Sequence, residues 1–153
     1  MIKPIFEVVA FEDRAAFLGM ALIHFGELNP NFVPQADWKA SYFETIQSNP
    51  NLFLRWITVE GERVGFILYG LERHRFLPRT SGMIYELFVL SQHRRKGIAE
   101  ASARQAIQEL STLGISKIQL EVMEGNVGAV ALWEKLGFSK TSSRYVSPIA
   151  PKE

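Results

Sequence analysis

Cysteine is absent from the chain, which excludes disulfide bonds, thiolate metal ligands and thiol catalysis. The three histidines, His24, His74 and His93, do not have the spacing of metal ligands, so we expect no metal site. No apolar run approaches the roughly 20 residues of a membrane span. The first residues also lack the apolar core of a signal peptide. These absences predict a cytoplasmic protein that makes no membrane contact.

The chain also carries little net charge. Its formal net charge of +1 over 153 residues is too small to indicate binding to nucleic acid or to an anionic membrane. Hydrophobic residues make up 47% and charged residues 22%, which is typical of a soluble globular protein. Because a chain of this length can bury a single core, we predict that residues 1–153 form one domain.

The hydrophobic periodicity changes along the chain between helical and β patterns. The predicted order is β-α-α-β-β-β-α-β-α-β, which indicates a mixed α/β sheet covered by helices. The first helix is expected to stop at Gly26, and the second to begin after Asp37 as its N-cap. Strands are predicted at residues 5–9, 52–59, 63–69, 83–90, 117–122 and 145–146, later helices at 97–113 and 127–136, and a polar basic loop at 71–82.

The sharpest local feature is a basic turn between a buried strand and a helix. It places Arg94, Arg95 and Lys96 at the helix start, where unpaired N–H groups already carry partial positive charge. Each cation there is unfavourable by roughly 0.3–1 kcal/mol, and a bound anion would offset that cost. Gly97 and Ala99 are small enough to let backbone N–H groups approach phosphate oxygens. The turn predicts a phosphate site, and the alternative is a solvated basic turn.

Two segments carry a family resemblance. Arg94-Arg95-Lys96-Gly97-Ile98-Ala99 matches the R/Q-x-x-G-x-G/A motif of GNAT acetyltransferases. The segment from Asn126 to Phe138 resembles their second signature, N-x-x-A-x-x-L-Y-E-K-L-G-F. The two segments also stand in the order and spacing of that family. The resemblance implies a mixed, mostly antiparallel central sheet with a splayed parallel strand pair, here residues 83–90 and 117–122, flanked by about four helices.

The resemblance further implies that acetyl-CoA is the co-substrate and lies in the gap between the splayed strands. Backbone groups of Phe88, Val89 and Leu90 would pair with its pantetheine arm. Its pyrophosphate would lie on the turn formed by Arg94, Arg95, Lys96, Gly97, Ile98 and Ala99.

A general base is useful because a lysine-like amine must lose a proton before it attacks, at a cost of about 4–5 kcal/mol near neutral pH. Glu86 is the candidate, as the one carboxylate in residues 83–90. Alternation along a strand predicts that it shares a face with Ile84, Phe88 and Leu90. A glutamate on this strand also resembles the family's frequent base. The alternative is a glutamate that pairs with an arginine.

The second signature supplies two further candidates and one departure from the family. Asn126 would hydrogen-bond the co-substrate or, equally, cap the following helix. Trp133 stands where the family often has a tyrosine that protonates the departing thiolate, and an indole N–H is not a usable acid. Trp133 would then pack on the co-substrate or belong to the core. Tyr145 and Tyr85 are the candidate replacement acids, although Tyr85 is expected on the opposite strand face from Glu86.

The acceptor is expected to bind near residues 25–38 and 71–82, by analogy with the family. Phe32 and Trp38 flank a proline-rich loop and could line its pocket. The second segment would favour an acidic acceptor, or it is a solvated flexible loop; its basic residues are Arg73, His74, Arg75 and Arg79.

Together these features predict an N-acetyltransferase that moves an acetyl group from acetyl-CoA to a primary amine of a small molecule, peptide or protein. The amine would attack directly in a ternary complex. The alternative is a non-catalytic acyl-CoA sensor or interaction module of the same fold, which the missing tyrosine favours. A nucleic-acid binder is disfavoured because no aromatic stacking stripe lies beside the cations. Apolar residues on the last strands could form a homodimer interface.

Overall fold

The computed structural model describes residues 2–149 of the chain. Its contacts divide the chain into two compact units, one that ends at Glu121 and one that begins at Val122. The five-stranded sheet and three of the α-helices belong to the first unit, and the single-domain assignment stays a prediction. Within residues 2–149, no helix is both long and apolar enough to cross a bilayer.

The first unit contains five strands and three α-helices, with short 3-10 turns at Phe11–Asp13 and Ser91–His93. The strands are β1 (Ile5–Val8), β2 (Leu52–Val59), β3 (Glu62–Arg73), β4 (Thr80–Val89) and β5 (Ile118–Leu120), and the helices are α1 (Arg14–Leu28), α2 (Trp38–Gln47) and α3 (Ile98–Ser111).

The strands form one mixed sheet in the order β1-β2-β3-β4-β5. The first four strands pair antiparallel, and β5 pairs parallel with β4, as the resemblance implied. Glu60 and Gly61 join β2 to β3 and both have positive φ, at 52° and 81°. Two such residues form a tight hairpin turn that matches the twist of the strands predicted at 52–59 and 63–69.

Helices α1 and α2 cover one face of the sheet because their apolar side chains meet a row of aromatic residues from the strands. Phe17 of α1 is fully buried, and its ring centroid lies 5.1 Å from that of Phe66 on β3 and 6.3 Å from that of Trp56 on β2. Helix α3 contacts β3 and β4, and buries Ala103, Ala106 and Leu110.

Strand β4 is irregular at Tyr85. Across β3, Ile84 lies opposite Tyr69 and Glu86 lies opposite Leu68, so Tyr85 has no partner and forms a β-bulge. Because directly opposed residues share a face, the bulge separates Ile84 from Glu86. The prediction that these two share a face was therefore wrong: strict alternation fails where one strand carries an extra residue.

The parallel pairing of β4 with β5 is short. It joins residues 82–84 of β4 to residues 118–120, whereas β4 continues to Val89. Residues 85–89 thus have no strand partner on that side within the part of the first unit that the structure describes. The open edge begins where β4 and β5 stop pairing, which is the splayed strand pair that the resemblance implied.

Several predicted boundaries and one predicted helix cap differ from the structure. Helix α1 continues through Gly26 to Leu28, because a single glycine weakens a helix without ending it. The predicted loop at 71–82 is confined to residues 74–79, since β3 and β4 extend into both sides of it. Asp37 precedes α2 but its side chain makes no capping hydrogen bond.

The second unit contains α4 (Val127–Lys135). Asn126 caps it, since its side-chain oxygen accepts a hydrogen bond from the Ala129 N–H at 3.1 Å. Gly137, with a φ of 94°, follows the end of this helix, in agreement with the helix predicted at residues 127–136. The strand predicted at residues 145–146 is absent from the described part of this unit, where residues 138–149 are irregular. Two exposed β-forming residues do not make a strand without a partner.

We expect Gly65→Ala to destabilise the fold by about 1–3 kcal/mol, as is typical of overpacking. A Cβ atom at this position would lie 1.9 Å from the Phe88 carbonyl oxygen, so β3 and β4 would have to separate. Gly19→Ala is the matched control: it lies in α1 with open space around it and should stabilise by about 0.5–1 kcal/mol. Urea unfolding measures both, and equal effects would contradict the close β3–β4 approach.

Candidate active site

Glu86 and His24 form the most prominent polar contact on the α1 face of the sheet. The His24 Nε2 atom lies 2.5 Å from Glu86 Oε2, which makes this a short hydrogen bond between α1 and β4. The His24 side chain is 9% exposed and that of Glu86 is 23% exposed. Glu86 therefore has a fixed position and still reaches solvent. The predicted alternative, a glutamate paired with an arginine, is wrong because its partner is a histidine.

Aromatic rings surround the His24 imidazole. Its centroid lies 5.2 Å from the Phe25 ring, 5.6 Å from the Phe66 ring and 5.2 Å from the Phe88 ring. The Phe66 ring is edge-on at 88°. These contacts restrict the imidazole to one orientation, with Nε2 facing Glu86.

Tyr42 of α2 belongs to the same region. Burial raises the pKa of its hydroxyl, and the negative charge of Glu86 raises that pKa further. The hydroxyl therefore stays protonated at neutral pH and is available as a hydrogen-bond donor. Its ring centroid lies 5.0 Å from that of Trp38 and 5.7 Å from that of Phe25. Phe32 lies 5.4 Å from Phe25 and 6.2 Å from Trp38, so the two predicted pocket residues contact each other, and their role in binding the acceptor stays a prediction.

The basic turn begins where β4 ends. Arg95 and Gly97 both have positive φ, at 63° and 80°, and Gly97 is the N-cap of α3. A positive φ in arginine costs roughly 1–2 kcal/mol, a strain often found at binding sites. No side chain caps α3, and a Cβ atom added at Gly97 would meet nothing within 4 Å. The turn thus has open space beside a helix N-terminus, which fits a pyrophosphate group.

The three cations of the turn differ in their partners. Arg94 donates to Glu27 Oε1 at 2.5 Å and through Nε to the Val89 carbonyl at 2.7 Å, so it faces α1. Arg95 and Lys96 are exposed and form no ion pair within residues 2–149. These two supply the uncompensated positive charge beside the helix N-terminus.

The predicted backbone partners of the pantetheine arm also differ from one another. The Leu90 N–H donates to the Val64 carbonyl at 2.8 Å, and the Leu90 carbonyl accepts from the His93 N–H at 2.9 Å. Leu90 therefore has no free donor for the arm. The alternation of an antiparallel ladder directs the backbone groups of Phe88 to Phe66 of β3, as it directs the Leu90 N–H to Val64. Val89 faces the open edge of β4, where its carbonyl already accepts from Arg94, so its N–H is the group left for the arm. Ile98 and Ala99 form the first turn of α3, where the Ile98 side chain is buried.

The two candidate acids have different surroundings. Tyr85 occupies the bulge, so the alternation that placed it opposite Glu86 does not hold at this residue. Burial, together with the charge of Glu72 and a hydrogen bond to it, raises the Tyr85 pKa. Tyr145 is 94% exposed in an irregular segment of the second unit. Its role as an acid stays a prediction.

Trp133 lies in the second unit and is buried there. Its ring centroid lies 5.5 Å from that of Phe138. This contact favours the core interpretation of Trp133, and its packing on the co-substrate stays a prediction. Asn126 serves as a helix cap, and its second predicted role, at the co-substrate, stays a prediction.

The basic loop does not border the carboxylate. Thr80, where β4 begins after the loop, is six residues from Glu86, which corresponds to about 20 Å along a strand. Its arginines therefore lie outside the immediate surroundings of Glu86. Within the described residues no cluster of three or more His, Cys, Asp or Glu side chains could hold a metal.

Sequence analysis did not identify His24, Tyr42 or Glu27 as site residues. His24 falls within an amphipathic helix, where a histidine most often belongs to the core. Its partner is 62 residues away, so no local pattern could connect the two. Glu27 lies one helical turn after His24, and that i, i+3 spacing on one helix face was the only available signal.

Comparison with known proteins places the chain in a family. Residues 12–138 match the Acetyltransferase (GNAT) family. The chain is 26% identical over 147 residues to the N-acetyltransferase YdgE of Bacillus subtilis (strain 168), covering 87% of this chain and 90% of that protein. It is 37% identical over 62 residues to human N-acetyltransferase 8, covering 40% of this chain and 27% of that protein.

Solved structures share the fold. The ribosomal-protein-alanine N-acetyltransferase of Brucella melitensis biovar Abortus 2308 superposes with a TM-score of 0.73 at 19% identity, covering 97% of this chain and 99% of that one. The family match extends over the sheet, the basic turn and α4. The chain is therefore an acyltransferase that belongs to the Acetyltransferase (GNAT) family.

Proposed function

We propose that the protein transfers an acetyl group from acetyl-CoA to a primary amine, with direct attack in a ternary complex and Glu86 as the general base. The observation that carries the proposal is the Glu86 carboxylate, fixed at 2.5 Å from His24 beside the open edge of β4. A base held on a strand next to that edge is within reach of an amine attacking there.

The residues for the co-substrate are those of β4 and the basic turn. Val89 offers its N–H at the open strand edge, and Arg95, Lys96 and Gly97 offer cations and N–H groups to the pyrophosphate. Acetyl-CoA supplies an activated thioester. Because the acetyl group is already activated, the chain needs only to bind, orient and deprotonate the amine.

Proton removal is the task of Glu86. An amine that arrives as an ammonium loses its proton to the carboxylate, and Oε1 is the free oxygen because Oε2 is bonded to His24. Partial exposure of the side chain gives that proton a route to solvent.

Three aromatic rings near Glu86 form an aromatic wall: Phe25, Trp38 and Tyr42, each only partly buried. This aromatic wall favours an acceptor with an apolar group next to its amine. A partly exposed aromatic surface gains stability when an apolar substituent covers it, and it also attracts an ammonium group. We infer an arylalkyl or alkyl amine, or a peptide amine with an apolar neighbour.

We expect Gly97→Glu to abolish acetyl-CoA binding in calorimetry, since a carboxylate in the open space at Gly97 repels the pyrophosphate. Gly97→Ala is the matched control because it carries the same strain at φ 80° without charge. It should retain measurable binding. Equal affinity for all three proteins would contradict the pyrophosphate assignment, and no binding to the wild type would contradict the proposed function.

Glu86→Gln should lower kcat by about 10²–10⁴-fold, the usual contribution of a general base, and leave the acetyl-CoA affinity unchanged. Glu62→Gln provides the control, since Glu62 also faces a histidine, His93 at 3.4 Å, but is mostly exposed. Steady-state kinetics and calorimetry on both variants test this. Wild-type turnover in Glu86→Gln would remove Glu86 as the base.

The aromatic wall predicts a substrate preference. We expect kcat/KM for 2-phenylethylamine to exceed that for ethanolamine by about tenfold or more, as burial of an aromatic ring would give. Trp38→Ala should reduce that ratio and leave the acetyl-CoA affinity unchanged. A preference for ethanolamine, or a ratio that Trp38→Ala does not change, would contradict the assignment of this wall.

A further inference from the structure

We propose that His24 is the positioning residue of this site: it holds the Glu86 carboxylate in the orientation in which Oε1 receives the proton of the acceptor amine. The inference rests on the proposed function, because it concerns the same proton transfer. His24 acts through Glu86 and does not itself touch the amine.

The geometry of the carboxylate is the first argument. A glutamate side chain has three rotatable bonds, and ordering it costs up to about 2 kcal/mol. Here one oxygen is tied by a 2.5 Å hydrogen bond, and within residues 2–149 no hydrogen bond engages the other. One oxygen is thus an anchor and the other is free, which suits a base that must meet its proton at one place.

The rigidity of the anchor is the second argument. Three aromatic rings surround the imidazole, at centroid distances of 5.2–5.6 Å. Helix α1, which carries it, is tied again one turn later, where Glu27 pairs with Arg94. A donor on a helix that is fixed at two points holds its partner more accurately than one on a loop.

The chemistry of the hydrogen bond specifies which of the two atoms carries the proton. An ionised carboxylate only accepts hydrogen bonds, so His24 Nε2 must carry a hydrogen. Nitrogen NMR of the imidazole reports this directly. We expect one of the three histidines to show a protonated Nε2 whose signal shifts in Glu86→Gln and disappears from the spectrum of His24→Gln.

Two substitutions separate positioning from packing. His24→Phe keeps a ring of similar size among Phe25, Phe66 and Phe88 but removes the donor. His24→Gln loses the ring but keeps an amide N–H near the position of Nε2. If His24 only fills space, His24→Phe should be the more active variant. If His24 acts as a hydrogen-bond donor, His24→Gln should be the more active variant.

The expected result is a split in the kinetics. His24→Phe should lower kcat by about 10–100-fold, a smaller loss than Glu86→Gln because the base is misplaced and not removed. KM for acetyl-CoA should stay unchanged, and His24→Gln should recover most of kcat. Tyr69→Phe is the matched control, since it also removes a donor to a glutamate, Glu109, and keeps a ring, but on the other face of the sheet; it should retain wild-type kcat. Turnover is measured with 2-phenylethylamine or the best amine of a panel.

Three results would overturn the proposal. The first is wild-type kcat in folded His24→Phe, and the second is a His24→Gln variant that is no more active than His24→Phe. The third is a His24 Nε2 that carries no hydrogen. If His24→Phe fails to fold, the kcat of His24→Gln and the NMR signal of His24 still test the positioning role. Wild-type protein without turnover on any amine would overturn the proposed function and this role with it, whereas the first two results leave Glu86 as the base.

Discussion

The bulge at Tyr85 is the constraint on which the site depends. Because β4 carries one residue more than β3 at this point, Glu86 moves to the face that α1 and α2 cover, while Ile84 keeps its place opposite Tyr69. Without the extra residue, alternation would give Ile84 and Glu86 the same face. The parallel pairing with β5 also stops at Ile84. One irregularity therefore coincides with both the placement of the carboxylate and the opening of the strand edge.

The basic turn before α3, at the other end of the site from Glu86, carries an excess of positive charge. Arg94 is neutralised by Glu27, but Arg95 and Lys96 remain beside the N-terminus of α3, where the helix dipole is also positive. Such an arrangement is unfavourable in isolation and becomes favourable once an anion binds. Helix α1 connects the two ends, since it contacts Glu86 through His24 and the turn through Glu27.

Much of this protein follows from its sequence, for identifiable reasons. The order of elements, the hairpin at Glu60 and the turn before α3 depend on local periodicity and glycine conformation, which sequence records. The Glu86–His24 pair could not be predicted, because it joins residues far apart in sequence and depends on the bulge. The strand predicted at residues 145–146 failed for a related reason: a strand needs a partner, which local composition does not provide.

The most direct test of the account is the initial rate of free thiol release from acetyl-CoA as a function of amine concentration. The absence of cysteine helps, because the protein itself contributes no thiol background. Direct attack predicts release that requires the amine, with intersecting double-reciprocal plots, since both substrates must be bound when the amine attacks. Release that is independent of the amine, or parallel plots that indicate an acetylated enzyme, would contradict direct attack with Glu86 as the base.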